Sequence, residues 1–219
     1  MLSRNTLLSP HLRLKEGEIV ASVNVPRDVK HYLAPIFVAA PPNDRDPQKG
    51  RKLTNAELVV ETGKRVARAW GHLPCMLDIR FLTKRLGLEN AVDWVPKVYH
   101  TAVLHGANVG AVINLADAHG VMLQGYVRAM KLRGVFPAIR LSLGDMQMSE
   151  LEVQLSAVLG ALATSPIGAV VILDFGGSDL SDVPIAADVF AAAYERLAAY
   201  GTWHKIIISS TSYPEKNPA

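Results

Sequence analysis

The chain has 219 residues, with 23 Lys and Arg against 20 Asp and Glu and a formal charge of +3; these mixed charges argue against a nucleic-acid partner without excluding one. Hydrophobic residues make up 49%, enough for a packed core, and no apolar run approaches the roughly 18 residues of a membrane-spanning helix. One cysteine, Cys75, rules out an internal disulfide and a multi-cysteine zinc site, and residues 1–10 lack the apolar stretch of a signal peptide, which predicts a cytoplasmic chain.

In chain order, His11-Leu-Arg-Leu14 reads as a short first strand, and residues 18–25 as a short helix ended by Pro26. Ala34-Pro-Ile-Phe-Val-Ala39 is a buried strand, and the Pro-, Asn- and Asp-containing residues 41–51 form a surface loop after it. Thr54-Asn-Ala-Glu57 has the spacing of a capping box and opens a helix to about Trp70. Cys75-Met-Leu-Asp-Ile-Arg80 is the next strand, followed by a helix over 89–105 in which Pro96 predicts a kink or a late start. Gly110-Ala-Val-Ile-Asn114 is a strand, residues 118–133 a helix stopped by Gly134, and Phe136-Pro-Ala-Ile-Arg-Leu-Ser142 a strand. Ser149-Glu-Leu-Glu152 reads as a second capping box, opening a helix that ends before Pro166. Ala169-Val-Val-Ile-Leu-Asp174 is a strand, residues 182–200 the last helix, closed by Gly201, and Lys205-Ile-Ile-Ile-Ser-Ser210 the last strand.

These strands are near-continuously apolar, as in a parallel sheet covered on both faces. Strand and helix alternate with a step of roughly 25 to 40 residues, the size of a βαβ unit. The fold class is therefore α/β, a TIM-barrel-like alternation of about seven βα units with parallel strands in sequential order. A full barrel takes eight strands and about 250 residues, so the chain reads as one barrel-like domain, residues 1–219, incomplete at its C-terminus and with an open sheet edge.

Side chains two apart share a strand face. Met76, Asp78 and Arg80 do, as do Val112 and Asn114; Ala138, Arg140 and Ser142; Ile172 and Asp174; and Ile206, Ile208 and Ser210. Each strand thus begins apolar and turns polar at its C-terminal end, where parallel α/β folds take their ligands. Arg80 and Arg140, with Asn114, Ser142 and Ser210, suit a phosphate or carboxylate, because a guanidinium presents a forked set of donors. Asp78 and Asp174 suit acid/base work or metal ligation, which makes them the catalytic candidates. The competing arrangement is a plug of buried Asp–Arg pairs that satisfy one another.

Other candidates carry less. Phe175-Gly-Gly-Ser178 follows a strand and could cradle an anion on its backbone, yet it matches no phosphate-binding motif, and a plain βα turn suits it better. His119 is the best isolated histidine for proton transfer, against an exposed helix start as the commoner explanation. Ser209-Ser-Thr-Ser212 is hydroxyl-rich without a G-x-S-x-G elbow, and Cys75 sits at a strand start as a core thiol. No motif names a metal or a cofactor, so both stay open.

Several segments together resemble one family. They are Leu14-Lys-Glu-Gly-Glu18, Ala34-Pro-Ile-Phe-Val38 followed by Pro41-Pro42, and Ala69-Trp70-Gly71 leading into Met76-Leu-Asp-Ile79. The most specific is Trp203-His-Lys-Ile-Ile-Ile-Ser-Ser-Thr-Ser-Tyr-Pro214. The chain resembles the phage-type Beta protein family, found in bacteriophages, prophages and bacterial genomes. The resemblance implies an α/β barrel-like fold and a phage or mobile-element setting, and it carries no settled activity onto residues here. It also implies longer relatives that continue into further strands with a Gly-Asp-Tyr-like motif. Two readings follow: a polar-ligand site at the strand ends that takes a small anion, with hydrolysis as one activity open to it, or a non-catalytic interaction protein that binds a host or phage protein or a second copy of itself. An open, solvated set of Asp78, Arg80, Arg140 and Asp174 favours the first, and closed pairs favour the second.

Overall fold

A computed structural model describes residues 1–3, 5–39, 52–176 and 183–209. The strands are β1 (His11–Arg13), β2 (Ile36–Val38), β3 (Pro74–Asp78), β4 (Asn108–Asn114), β5 (Val135–Ser142), β6 (Val170–Asp174) and β7 (Lys205–Ser209). The helices are α1 (Glu16–Val23), α2 (Arg27–Lys30), α3 (Asn55–Trp70), α4 (Thr83–Leu86), α5 (Ala91–Leu104), α6 (Gly120–Met130), α7 (Leu143–Gln147), α8 (Leu151–Ala161) and α9 (Val183–Tyr200). All seven expected strands form, including the short first one, and they alternate with helices as an α/β fold of TIM-barrel type. The loop expected over 41–51 lies outside the described residues.

The chain gathers into two compact units. The first is Met1–Ile113 with Asp117–Ala138, and the second is Asn114–Ala116 with Ile139–Ala219.

In the first unit β1, β2, β3 and β4 pair in sequence order, all parallel. The register aligns Ile36, Met76 and Gly110 in one row, and Val38, Asp78 and Val112 two residues further on. The row between holds Phe37, Leu77 and Ala111 on the opposite face. Both faces are buried, which is why these runs carry no alternation of polar and apolar residues. Pro74 opens β3, a position where its missing N–H costs the ladder little. Phe37 meets Trp70 of α3 edge-on, with ring centroids 6.4 Å apart.

Helices α3, α5 and α6 pack side by side, and two glycines set how closely. A Cβ on Gly63 of α3 would lie 2.6 Å from the Val98 carbonyl oxygen and 2.7 Å from Thr101 Cβ, both on α5. A Cβ on Gly125 of α6 would lie 2.6 Å from the Ala91 carbonyl oxygen, also on α5. Pro96 sits inside α5 without ending it. Its missing N–H leaves the Val92 carbonyl without an intrahelical donor, and Arg128 Nη1 of α6 donates to that oxygen at 3.3 Å.

Helix starts depart from expectation in several places. Thr54 does form the capping box with Glu57. The second box, expected at Ser149–Glu152, does not form: α8 starts at Leu151 without a side-chain cap. Glu152 turns to Arg196 instead, and the box forms at Ser142 and Asp145, which open α7. Near the N-terminus the helix runs Glu16–Val23, two residues earlier than expected, and Pro26 introduces α2 because its fixed φ suits a helix start. Helix α6 begins at Gly120, after a single 3-10 turn over Leu115–Asp117.

In the second unit β6 and β7 are parallel, with Ile172 aligned to Ile207 and Asp174 to Ser209. Arg196 of α9 clamps Glu152 of α8 with Nε at 2.5 Å and Nη2 at 2.8 Å, and donates to the Met146 carbonyl at 2.8 Å. Phe175 packs edge-on against Phe190, centroids 4.2 Å apart. Trp203 stacks on Tyr200, and its indole N–H donates to the Leu197 carbonyl at 3.0 Å. No helix among the described residues is long and apolar enough to cross a membrane.

Two outcomes follow from this packing. Gly63→Ala and Gly125→Ala should each destabilise by about 1–3 kcal/mol in chemical denaturation, because rigid backbone of α5 blocks the new methyl group. Gly17→Ala, with no atom within 4 Å of the added Cβ, should be neutral or slightly stabilising. The Arg196 hydrogen bonds, joined by a backbone N–H, hold the Glu152 carboxyl down at about 2, from an ordinary 4.5. A depressed carboxylate stabilises above its unfolded value and loses that contribution as pH falls toward its folded one. The stability gap between the wild type and Glu152→Gln should therefore be full at pH 7 and close as pH falls from about 4.5 to about 2, read by denaturation at each pH.

Candidate functional site

The polar residues at the strand ends form one constellation in each unit. In the first, Asp78 closes β3 and is 1% exposed. Its Oδ1 accepts the Arg80 backbone N–H at 3.0 Å, so the carboxylate itself folds the turn that leaves the strand. Its Oδ2 lies 3.0 Å from Arg80 Nε, an ion-pair contact in which the N–H is not aimed as a hydrogen bond. The Arg80 side chain is 37% exposed and lies over the Phe81 ring, 5.3 Å from its centroid. Behind Asp78, the Tyr99 hydroxyl donates to the Leu77 carbonyl at 3.0 Å. Burial first, then the neighbouring Tyr126 and Asp78, raises this phenol well above its usual range, so it acts as a fixed donor.

In the second unit Asp174 closes β6, 13% exposed, and repeats the device. Its Oδ1 accepts the Gly176 backbone N–H at 2.9 Å, and its Oδ2 lies 3.3 Å from Arg140 Nε. The Arg140 side chain is 4% exposed, and its Nη1 reaches Asn114 Oδ1 at 3.5 Å. The ends of three strands, β4, β5 and β6, thus bring an amide, a guanidinium and a carboxylate together. Burial of the guanidinium needs partners of this kind, because an unpaired charge in the interior is costly.

The remaining candidates fall as follows. Ser142 Oγ accepts the Asp145 N–H at 3.2 Å and donates to Asp145 Oδ2 at 2.6 Å, so its hydroxyl is engaged in starting α7. Ser210 lies outside the described residues. The hydroxyl that shares a row with Asp174 is Ser209, which is buried. Sequence reasoning missed it because β7 alternates from Lys205 through Ile207 to Ser209, and only the β6 register shows which of the two parities faces Asp174. His119 is exposed and immediately precedes α6, as expected of a histidine at a helix start. Of the Phe175–Ser178 turn, Gly176 is described, and its N–H serves Asp174. Burial pushes the Cys75 thiol up to about 12, which leaves it protonated and unreactive in the core. Among the described residues no group of three His, Cys, Asp or Glu could hold a metal ion.

Parallel strands alternating with helices, and charged residues at the strand C-termini, define an α/β protein of TIM-barrel type. A family model described as Beta protein matches residues 9–219, and the chain belongs to that family. No curated protein matches it. Among solved structures, it is similar to an alanine racemase of Clostridium difficile 630, in complex with cycloserine, with a TM-score of 0.50 and 10% identity. That likeness covers 96% of this chain and 47% of the racemase, so this chain spans about half the racemase's length. At such identity it shows the fold alone.

Removing the Ser142 hydroxyl separates capping from binding. Ser142→Ala should lower stability by about 1 kcal/mol in denaturant titration, the ordinary cost of a lost N-cap.

Proposed function

We propose that this Beta-family chain binds a small anionic ligand in its second unit, with Arg140 as the anchor and Asn114, Asp174 and Ser209 around it. Asp174, the less buried partner of the pair, is the acid/base candidate, and Asp78 with Arg80 serves to turn the chain out of β3. The supporting observation is the guanidinium of Arg140, 4% exposed, at the polar end of a strand whose preceding residues are apolar. Apolar residues of similar volume would be as stable or more so at such a place. Strand C-termini are also where folds of this type take their ligands. A phage or prophage setting belongs to the same proposal and rests on the family resemblance.

A second reading, an interaction protein that binds a protein partner or a second copy of the chain, is favoured by the closed Arg140–Asp174 pair, 4% and 13% exposed, and by Ile208, which is 54% exposed in β7.

Asp174→Asn distinguishes a ligand site from a plug. The wild type should be stabilised against heat by phosphate or by small carboxylates, as any ligand of the native state stabilises it. The variant should lose that response and should also be less stable, because it leaves the buried Arg140 guanidinium without its carboxylate. No response of the wild type to either class of anion, with the variant destabilised, would make the constellation a structural plug and overturn the proposal.

A further inference from the structure

Strand β3 has a second end, away from Asp78. There a cleft of about 330 Å³ is lined by Arg27, Lys30 and His31, from α2 and the residue after it, and by Trp70, His72 and Leu73, where α3 turns into β3. All six lie within the first unit.

The walls of this cleft are held. Trp70 is buried, and its indole N–H donates to the Pro74 carbonyl at 3.1 Å. Lys30 Nζ lies 5.0 Å from the centre of the Trp70 ring and donates to the Val23 carbonyl at 3.2 Å, which fixes the ammonium over the indole.

The charge of the lining is unbalanced. Arg27 and Lys30 are cationic, His31 and His72 can donate or take a proton, and no carboxylate lines the cleft. A second cleft, lined by Glu61, Lys64, Arg65, Ala67, Arg68 and His105, shows the contrast. There Arg65 pairs with Glu61 at 3.1 Å, and Arg68 pairs with Glu16 at 2.5 Å. Among the described residues no carboxylate forms an ion pair with Arg27, Lys30, His31 or His72. Positive charge left uncompensated in a concavity concentrates anions there.

We infer that the Arg27–Lys30–His31–His72 cleft binds the phosphate group of a small phosphorylated compound, at a site separate from Arg140. Phosphate matches this lining better than a carboxylate does. It carries up to two charges against two fixed cations, and its oxygens can accept from a planar guanidinium fork, an ammonium and two imidazoles at once.

The test is a titration of the full chain followed by NMR, with inorganic phosphate and glycerol 3-phosphate as probes and chloride at matched ionic strength as control. Both probes should move the Trp70 indole N–H signal and the backbone signals of residues 27–31 and 72 along a saturable curve. Arg27→Ala and Lys30→Met should each weaken binding about tenfold or more, the size expected when one charge-assisted hydrogen bond is removed. Met keeps an unbranched stem over Trp70, so the second variant preserves the packing if the first disturbs it. Arg65→Ala, in the second cleft, where that arginine is paired with Glu61, should leave the curve unchanged. Shifts that rise linearly and equally with chloride overturn the inference, as does saturation that survives both cleft variants. A response only to a single-stranded oligonucleotide, with neither small phosphate acting, overturns it in favour of a polyanion surface.

Discussion

A carboxylate at the end of a strand buried on both faces must be satisfied where it stands, and this chain meets that demand twice in the same way. Asp78 and Asp174 each accept the backbone N–H two residues on with one oxygen, and hold an arginine with the other. The first bond ends the strand, because a backbone N–H turned toward the preceding side chain can no longer continue the ladder. The second brings a guanidinium to the sheet end. The polarity of these strand termini is thus a consequence of how the strands stop.

The two constellations differ in depth, and the difference decides what each can do. Arg80 is 37% exposed beside a carboxylate that is 1% exposed, so water can serve most of its donors. Arg140 is 4% exposed and depends on groups delivered by its own unit. A buried cation with polar neighbours costs stability that apolar packing would not, which is the ground for the proposed ligand site. In the first unit the opposite end of β3 carries unmatched positive charge of a different kind, at the surface and over a rigid indole.

The helical layer of the first unit is governed by close approach. Without side chains at Gly63 and Gly125, α3 and α6 come within reach of the α5 backbone. The same closeness lets Arg128 supply the donor that Pro96 removes, so a residue expected to kink or delay a helix sits inside one that runs from Ala91 to Leu104. Tyr99 of the same helix spends its hydroxyl on the β3 backbone, which ties the helical layer to the strand that ends in Asp78.

Local composition determined the seven strands, the longer helices between them and the α/β class, because continuous apolar runs of this length are tolerated only in sheets covered on both sides; the short α2, α4 and α7 were not legible in it. The family was legible from short motifs, two of which, Ala34–Val38 and Met76–Ile79, coincide with β2 and β3. The pairing of Asp78 with Arg80 was within reach, as both sit on one strand face two residues apart. Tertiary structure decided what depends on a neighbouring segment. It left α8 without the expected Ser149–Glu152 capping box, because Glu152 pairs with Arg196, 44 residues away. It set Ser209 in the row of Asp174, because strand register is fixed between chains of residues and one step reverses every side chain. It left Arg27, Lys30, His31 and His72 around one cleft with no acid to match them, since a charge balance that is even along the sequence need not be even across a folded surface.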